Sequence, residues 1–197
     1  GESGSGKSTI LKSIAGLLNI KDGSIDFKND INLSTDVKNR TNAQLRAIQL
    51  IFQNPDESLN PTHTVVEILS QPLKLYFNLS GKKLKNNIID LLKKVRLSEK
   101  YLYRYPRQLS GGEKQRIAVA RAFAAKPDLI LCDEVTSALD VSVQAAVLKL
   151  LQDLKNELGT TYIFVSHDLA VVRAISDRVA VLYQGRLCEI GPSSEVY

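Results

Sequence analysis

The spacing of apolar residues predicts strands and helices at both ends of the chain and helices alone in the middle. Helical spacing covers four stretches, residues 8–18, 64–75, 83–95 and 110–125, and a fifth helix is expected at about 141–158. Strand patterns occur at residues 24–27, 48–52, 129–132 and 161–166, and a hairpin at 178–190. We expect 129–132 and 161–166 to be buried parallel strands. The pattern therefore predicts an α/β fold with an inserted helical segment.

Chain length favours one domain with an ample core. Its 197 residues divide, on this interpretation, into a core at about 1–60 and 126–197 and a helical subdomain at about 61–125. The chain has no methionine and begins inside a motif that needs a preceding strand. We therefore expect it to be a fragment without its true N-terminus.

The net charge and the two cysteines exclude few classes of function. The net charge of +5 suits an anionic ligand or an anionic membrane surface, but it is too weak to indicate nucleic acid. The lysines of the 83–95 helix are expected to form a solvated face. Cys132 and Cys188 have no metal-ligand spacing, so reduced cytosolic thiols are expected. No apolar run approaches the roughly 20 residues of a membrane span, so another chain or a missing segment would supply any membrane anchor.

The first nine residues, GESGSGKST, fit the phosphate-binding pattern G-x-x-x-x-G-K-[ST]. Glycines let backbone N–H groups wrap a triphosphate closely, because a Cβ atom would block that approach. Lys7 supplies a charge for the β- and γ-phosphates, and the Ser8 hydroxyl can ligate Mg²⁺. The helix that follows would direct its positive N-terminus at the phosphates. A chance Gly/Ser-rich loop is the alternative. The predicted nucleotide contacts here are Gly1, Ser3, Gly4, Ser5, Gly6, Lys7, Ser8 and Thr9.

A second anion site is predicted in the middle of the chain, at LSGGEKQR in residues 109–116. Ser110 and Glu113 form the S-x-x-E capping box that begins a helix. Gly111 and Gly112 are poor helix formers, so we infer that a ligand approaches their backbone, and phosphate is the simplest candidate. An ordinary capped helix is the alternative.

Two carboxylates, Asp133 and Glu134, follow the most apolar strand, where open α/β sheets bind ligands. Neighbouring strand residues point to opposite faces, so we assign them different roles. Asp133 is predicted to hold Mg²⁺, and Glu134 to polarise the attacking water. Two solvated acids at a strand end are the alternative.

Gln53 and His167 also follow predicted strands. Gln53 precedes a proline-punctuated stretch at 54–61 that is typical of a hinge or junction, although a solvated strand end would have the same pattern. His167 is expected at the same sheet edge as Glu134, where it would bond a γ-phosphate oxygen or the catalytic carboxylate. A purely structural histidine is the alternative.

Together these segments resemble the nucleotide-binding domain of an ATP-binding cassette (ABC) transporter over essentially the whole chain. Residues 1–9 are similar to its Walker A motif, Gln53 to its Q-loop and 109–115 to its LSGGQ-type signature. Residues 129–134 resemble Walker B, 137–140 the D-loop and His167 the switch histidine.

The resemblance implies a P-loop NTPase core with a mostly parallel sheet and an inserted helical subdomain. It also implies ATP and Mg²⁺ as cofactors. The residues implied in catalysis are Glu134, His167 and Gln53. Those implied in metal binding are Ser8, Gln53 and Asp133. Nucleotide binding is implied for Ser110, Gly111, Gly112 and Asp140.

Further segments resemble the branch that imports oligopeptides, dipeptides, glutathione or nickel. They are FQNP at 52–55, SLNP at 58–61, Tyr105-Pro106, DVSVQ at 140–144 and SHDL at 166–169. Two residues depart from the family pattern: Val135 replaces a proline, and Glu113 replaces the commoner glutamine of the signature. The resemblance leaves the transported solute open.

The family mechanism implies that residues 1–9 of one copy and 110–112 of another enclose one ATP in a head-to-tail dimer. The partners expected are a second ATPase domain, transmembrane permease subunits and, indirectly, a periplasmic or extracellular solute-binding protein, with no nucleic acid. The expected location is the cytoplasmic face of the membrane, as a peripheral subunit. A soluble ABC ATPase of DNA repair or translation, and a catalytically idle scaffold, are the alternatives.

Overall fold

The computed structural model describes residues 4–28, 33–137 and 139–196. The eight helices of the described residues are α1 Lys7–Ile14, α2 Asn42–Ala47, α3 Val65–Phe77, α4 Gly81–Lys94, α5 Gly111–Ala124, α6 Val141–Leu158, α7 Leu169–Ile175 and α8 Ser193–Val196. The strands are β1 Ile48–Ile51, β2 Leu129–Asp133, β3 Thr161–Val165, β4 Arg178–Tyr183 and β5 Arg186–Pro192. Short 3₁₀ turns occur at Val37–Asn39, Pro55–Glu57, Glu99–Tyr101 and Pro106–Gln108.

Strands β1, β2 and β3 form a parallel sheet with β2 in the centre. Ile51 pairs with Cys132, and Asp133 pairs with Val165, so all three strands end at the same edge. Every residue of β2 is buried, as the apolar run predicts. The predicted α/β fold is confirmed.

The prediction that residues 161–166 are a buried strand is wrong in part. Strand β3 forms, but Thr161 and Ile163 are exposed. Within the described residues β3 pairs only with β2, and its other side faces a cavity of about 1180 Å³. Leu187 and Ile190 of the antiparallel β4–β5 hairpin also line this cavity. Thr161 and Ile163 point to one face of the sheet, whereas Tyr162 and Phe164, on the other face, pack against the main core.

The prediction of a strand at residues 24–27 is also wrong. Phe27 forms a single bridge, and the three residues before it have no regular structure. Ile25 and Phe27 nevertheless pack against buried Leu11, Leu33 and Leu131. The Leu33 N–H also donates to the Ile25 carbonyl at 2.7 Å, so this segment contributes to the core although residues 24–26 are not assigned to a strand.

Helix boundaries follow local caps more than apolar spacing. Helix α1 ends at Ile14 rather than near residue 18, because Gly16 adopts a left-handed φ of 80° and its amide turns back to the Ser13 carbonyl. Helix α2, Asn42–Ala47, is not among the helices predicted from apolar spacing. A capping box between Thr41 and Gln44 begins it. No helix in the described ranges is long and apolar enough to span a bilayer.

Helix α5 is the central helix of the structure. It packs against α3 and α4 on one side and against α6 and β1 on the other. Eight of its fourteen residues are buried. Because one helix contacts both parts of the chain, the division into a core and a helical subdomain stays a prediction.

The N-terminal turn of α5 packs tightly against α6. A Cβ atom built on Gly112 would lie 2.6 Å from Cγ1 of Val143, a stiff β-branched side chain, whereas one on Gly111 would meet only Leu139 Cδ2 at 3.8 Å. Gly112 is therefore required by packing within the chain, a reason different from the approaching ligand inferred from the sequence.

We predict that Gly112→Ala lowers the free energy of unfolding by about 1–3 kcal/mol through overpacking. Gly111→Ala is the matched control and should leave stability unchanged or raise it by up to about 1 kcal/mol, because alanine favours the helix. Urea denaturation measures both variants, and Val143→Ala should rescue Gly112→Ala. Equal effects of the two glycine substitutions would contradict this packing.

Candidate functional site

The carboxyl edge of the parallel sheet gathers most of the predicted catalytic side chains. Gln53 follows β1, Asp133 ends β2 and Glu134 comes next, and His167 lies two residues after β3. Parallel strands that end together place such residues side by side, as expected for ligand sites of open α/β sheets. The edge is therefore the candidate site.

Ser8 and Asp133 meet at this edge although 125 residues separate them in sequence. The Ser8 hydroxyl donates a hydrogen bond of 2.7 Å to Asp133 Oδ1. Asp133 is only 8% exposed, so its carboxylate is held in place by its surroundings. A hydroxyl beside a carboxylate fits Mg²⁺, which prefers oxygen ligands and takes few from the protein when phosphates supply others. Among the described residues, no cluster of three or more His, Cys, Asp or Glu side chains could hold a metal ion.

Glu134 adopts a left-handed backbone conformation with φ of 46°, which is uncommon outside glycine. Its amide N–H donates to the Val165 carbonyl at 3.0 Å, so the sheet edge holds the turn. Strand β2 has already ended at Asp133. The two carboxylates therefore diverge because of this turn, and not because of strand alternation as the sequence argument assumed.

Gln53 and His167 contact the Glu134 carboxylate from two other strand ends. The Gln53 amide nitrogen donates to Glu134 Oε2 at 3.3 Å, and His167 Nδ1 lies 3.3 Å from the same oxygen. The Glu134 carboxylate is one of the two partners predicted for His167. Gln53 was also predicted as a metal ligand, and its amide oxygen is the atom suited to that role.

Ser137 belongs to this group, and sequence reasoning gave it no role. Its hydroxyl accepts a hydrogen bond of 3.0 Å from Gln53 and donates one of 3.0 Å to the Glu134 carbonyl. Its amide N–H donates to that same carbonyl. Ser137 thus fixes the turn at Glu134 and ties it to Gln53. The only sequence signal was its place in the segment 137–140, since the contact with Gln53 spans 84 residues.

The phosphate loop is described from Gly4 onward, and the predicted contacts at Gly1 and Ser3 lie outside the described residues. Gly4 and Gly6 have φ of 82° and 93°, values that favour glycine. Lys7 Nζ donates to Oγ of the buried Ser5 at 2.9 Å. The turn of the β4–β5 hairpin braces the loop, because the Gly185 amide donates to the Ser5 carbonyl at 3.2 Å. Thr9 lies exposed in the first turn of α1.

The remaining predicted residues form a separate group at the N-termini of α5 and α6. Ser110 Oγ accepts the Glu113 N–H while the Glu113 carboxylate accepts the Ser110 N–H, which completes the predicted capping box. Ser110 and Gly111 are exposed. Asp140 caps α6 by accepting the Val143 N–H, and bonds from Ser142 and that amide hold the pKa of Asp140 below its usual range. The N-terminal turn of α5 is connected to this cap through the packing of Gly112 against Val143.

Known proteins resemble the whole of this chain. The family model for ABC transporters matches residues 1–137. The chain is 45% identical over 200 residues to the oligopeptide transport ATP-binding protein OppF of Salmonella typhimurium, and 42% identical over 202 residues to a putative peptide import ATP-binding protein of Brucella abortus. Each alignment covers 100% of this chain and 59% of the relative. The chain therefore spans about three fifths of the length of these relatives.

Solved structures share the fold. A dimeric post-hydrolysis state of the ATP-binding cassette MJ0796 bound to ADP and Pi has a TM-score of 0.82 and 32% identity, with 98% of this chain and 82% of that chain covered. The cbiO1 protein of Clostridium perfringens, part of the ABC transporter complex cbiONQ, has a TM-score of 0.85 and 28% identity, with coverage of 100% and 76%. The family predicted from the motifs is confirmed: the chain belongs to the ABC transporter family.

Proposed function

We propose that this chain is the ATP-hydrolysing domain of an ABC importer for peptides. One observation carries the proposal: three strand ends and the phosphate loop bring Ser8, Asp133, Gln53, Glu134 and His167 to one edge of the sheet. This set contains an oxygen pair suited to Mg²⁺ and, beside it, a carboxylate with two polar neighbours. Such an arrangement suits phosphoryl transfer to water, in which the protein acts by positioning and electrostatics.

The phosphates of ATP would lie over the loop at residues 4–8, along the N-terminus of α1. Lys7 would exchange its bond with Ser5 for contacts to the β- and γ-phosphates, and backbone N–H groups would bind the remaining oxygens. Ser8 and Asp133 would hold Mg²⁺, with Gln53 as a further ligand. When bound, Mg²⁺ neutralises charge that develops on the β- and γ-phosphates.

Glu134 would orient the attacking water and accept its proton. The left-handed turn presents the carboxylate at the edge, and the bond from Ser137 to the Glu134 carbonyl keeps the turn in place. Gln53 and His167 both contact Oε2 of this carboxylate at 3.3 Å, and these contacts would orient it toward the water. A base positioned in this way contributes about 10²- to 10⁴-fold to the rate.

A second ATPase domain would complete the site. Ser110, the N-cap of α5, and Gly111 are exposed, and the Ser110 hydroxyl and the Gly111 N–H are the donors that they offer. In a head-to-tail dimer they would contact the γ-phosphate held by residues 4–8 of the partner. The similar ATP-binding cassette MJ0796 is dimeric with ADP and Pi bound, which supports a dimer for this chain.

Peptide import is favoured over nickel import by the relatives' names, which describe oligopeptide transport and peptide import. The same assembly would include transmembrane permease subunits and, indirectly, a solute-binding protein outside the membrane. This chain would lie at the cytoplasmic face as a peripheral subunit. The modest net charge of +5 gives no support for a nucleic-acid partner.

Replacement of Glu134 by glutamine tests the catalytic assignment. We expect Glu134→Gln to lower ATP turnover by about 10²-fold or more, because the amide cannot accept the proton from water. ATP-dependent dimerisation should persist, since Ser8, Asp133 and the phosphate loop are unchanged. Phosphate release and light scattering measure the two properties.

Glu189→Gln is the matched control, because Glu189 is exposed on β5 and far along the chain from the site. It should hydrolyse ATP at the parental rate. Unchanged turnover in Glu134→Gln would remove the role given to Glu134.

Uptake in cells tests the substrate class. Cells that lack the full-length gene should lose growth on oligopeptides as the sole source of an essential amino acid, and should keep nickel-dependent growth. The parental gene should restore peptide use, and the Glu134→Gln gene should not. Loss of nickel uptake with normal peptide use would assign the importer to nickel instead.

A further inference from the structure

The signature segment in this chain has a glutamate whose carboxylate is held from two directions. Glu113 Oε2 accepts the Ser110 N–H at 2.8 Å. Glu113 Oε1 accepts the phenol O–H of Tyr101 at 2.5 Å. The capping box therefore continues into a third residue, twelve positions earlier in the chain.

Tyr101 ends the 3₁₀ turn Glu99–Tyr101 and lies outside helix α5. The guanidinium of Arg104 lies 4.6 Å from the centre of its ring, within the range of a cation–π contact. The ring is also partly buried against the main hydrophobic core. Tyr101 thus has a fixed position from which it can orient the Glu113 carboxylate.

The hydrogen bond shifts the pKa values of both partners in the directions that preserve it. It is the largest cause that lowers the pKa of Glu113, followed by the bond from the Ser110 N–H. The same bond raises the pKa of Tyr101. A neutral phenol therefore donates to an ionised carboxylate, which is the stronger kind of hydrogen bond.

The position of the carboxylate determines how Ser110 is presented. Because Glu113 Oε2 occupies the Ser110 N–H, that amide is directed inward to the cap. Ser110 Oγ accepts the Glu113 N–H at 3.3 Å, so its own proton remains to be donated elsewhere. Ser110 and Gly111 lie at the surface, where an anion from another molecule has access.

We propose that Tyr101 is a positioning residue for the γ-phosphate contact: by holding the Glu113 carboxylate, it fixes the Ser110 hydroxyl and the first turn of α5 in the orientation that receives ATP bound to the partner copy. This inference rests on the proposed function. It assigns Tyr101 no contact with the nucleotide, so its effect must pass through Glu113.

A comparison of two tyrosines tests the proposal in the full-length protein. Tyr101→Phe removes only the phenol oxygen. Tyr103→Phe makes the same change at a side chain that is 70% exposed two residues away. We expect Tyr101→Phe to raise the KM for ATP roughly fivefold, the factor for one lost bond to an ion at a partly exposed site. The kcat should stay within about twofold, because the residues at the sheet edge are unchanged, and ADP affinity should not move, since ADP has no γ-phosphate.

A double-mutant cycle with Glu113→Ala tests whether the effect of Tyr101 on the KM for ATP passes through Glu113. If Tyr101 acts through Glu113, Tyr101→Phe should have no further effect on KM in the Glu113→Ala background. Amide hydrogen exchange provides a readout that does not need turnover: the Ser110 N–H should exchange several times faster in Tyr101→Phe and unchanged in Tyr103→Phe.

Three results would overturn the proposal. They are equal KM values for Tyr101→Phe and Tyr103→Phe, additive effects of Tyr101→Phe and Glu113→Ala, and a fall in kcat with no change in KM. Failure of the proposed function is separately visible, because the parental protein would then hydrolyse no ATP. Faster Ser110 exchange with an inactive parental protein would mean that Tyr101 serves the helix cap alone, which also overturns a role toward nucleotide.

Discussion

The parallel register of β1, β2 and β3 is the constraint on which the rest of the structure depends. Pairing of Ile51 with Cys132 and of Asp133 with Val165 makes the three strands end together. This register alone brings residues that are far apart in sequence next to one another. A shift of one residue in this register would move Glu134 away from both Gln53 and His167, because each contact is 3.3 Å long.

The backbone conformation of Glu134 is a second constraint, which is local and adds to the strand register. Glu134 occupies a left-handed conformation that costs of the order of 1 kcal/mol or more for a residue with a side chain. Bonds from Ser137 to the Glu134 carbonyl, and from Glu134 to the Val165 carbonyl, hold this turn. Backbone strain of this kind concentrates at functional sites. The strain at Glu134 therefore agrees with a functional role for its carboxylate at the end of a buried strand.

Prediction from sequence succeeded where a residue's role depends on its own segment. The capping box at Ser110 is local, and the burial of β2 follows from an uninterrupted apolar run. It failed where the role depends on a distant partner. The exposure of Thr161 and Ile163 on β3 depends on what packs against that face of the sheet, and the need for glycine at position 112 comes from Val143 on the next helix. The bond from Gln53 to Ser137 joins segments 84 residues apart, so no spacing within either segment could have indicated it.

The proposed mechanism requires that one Mg–ATP be bound at the carboxyl edge of the sheet. The crystal structure of the full-length Glu134→Gln variant grown with Mg–ATP measures this most directly. We predict Mg²⁺ within about 2.1 Å of Ser8 Oγ, with Asp133 beside it and the substituted side chain at position 134 facing the γ-phosphate. Nucleotide bound elsewhere, for example in the cavity between β3 and the β4–β5 hairpin, would contradict this mechanism.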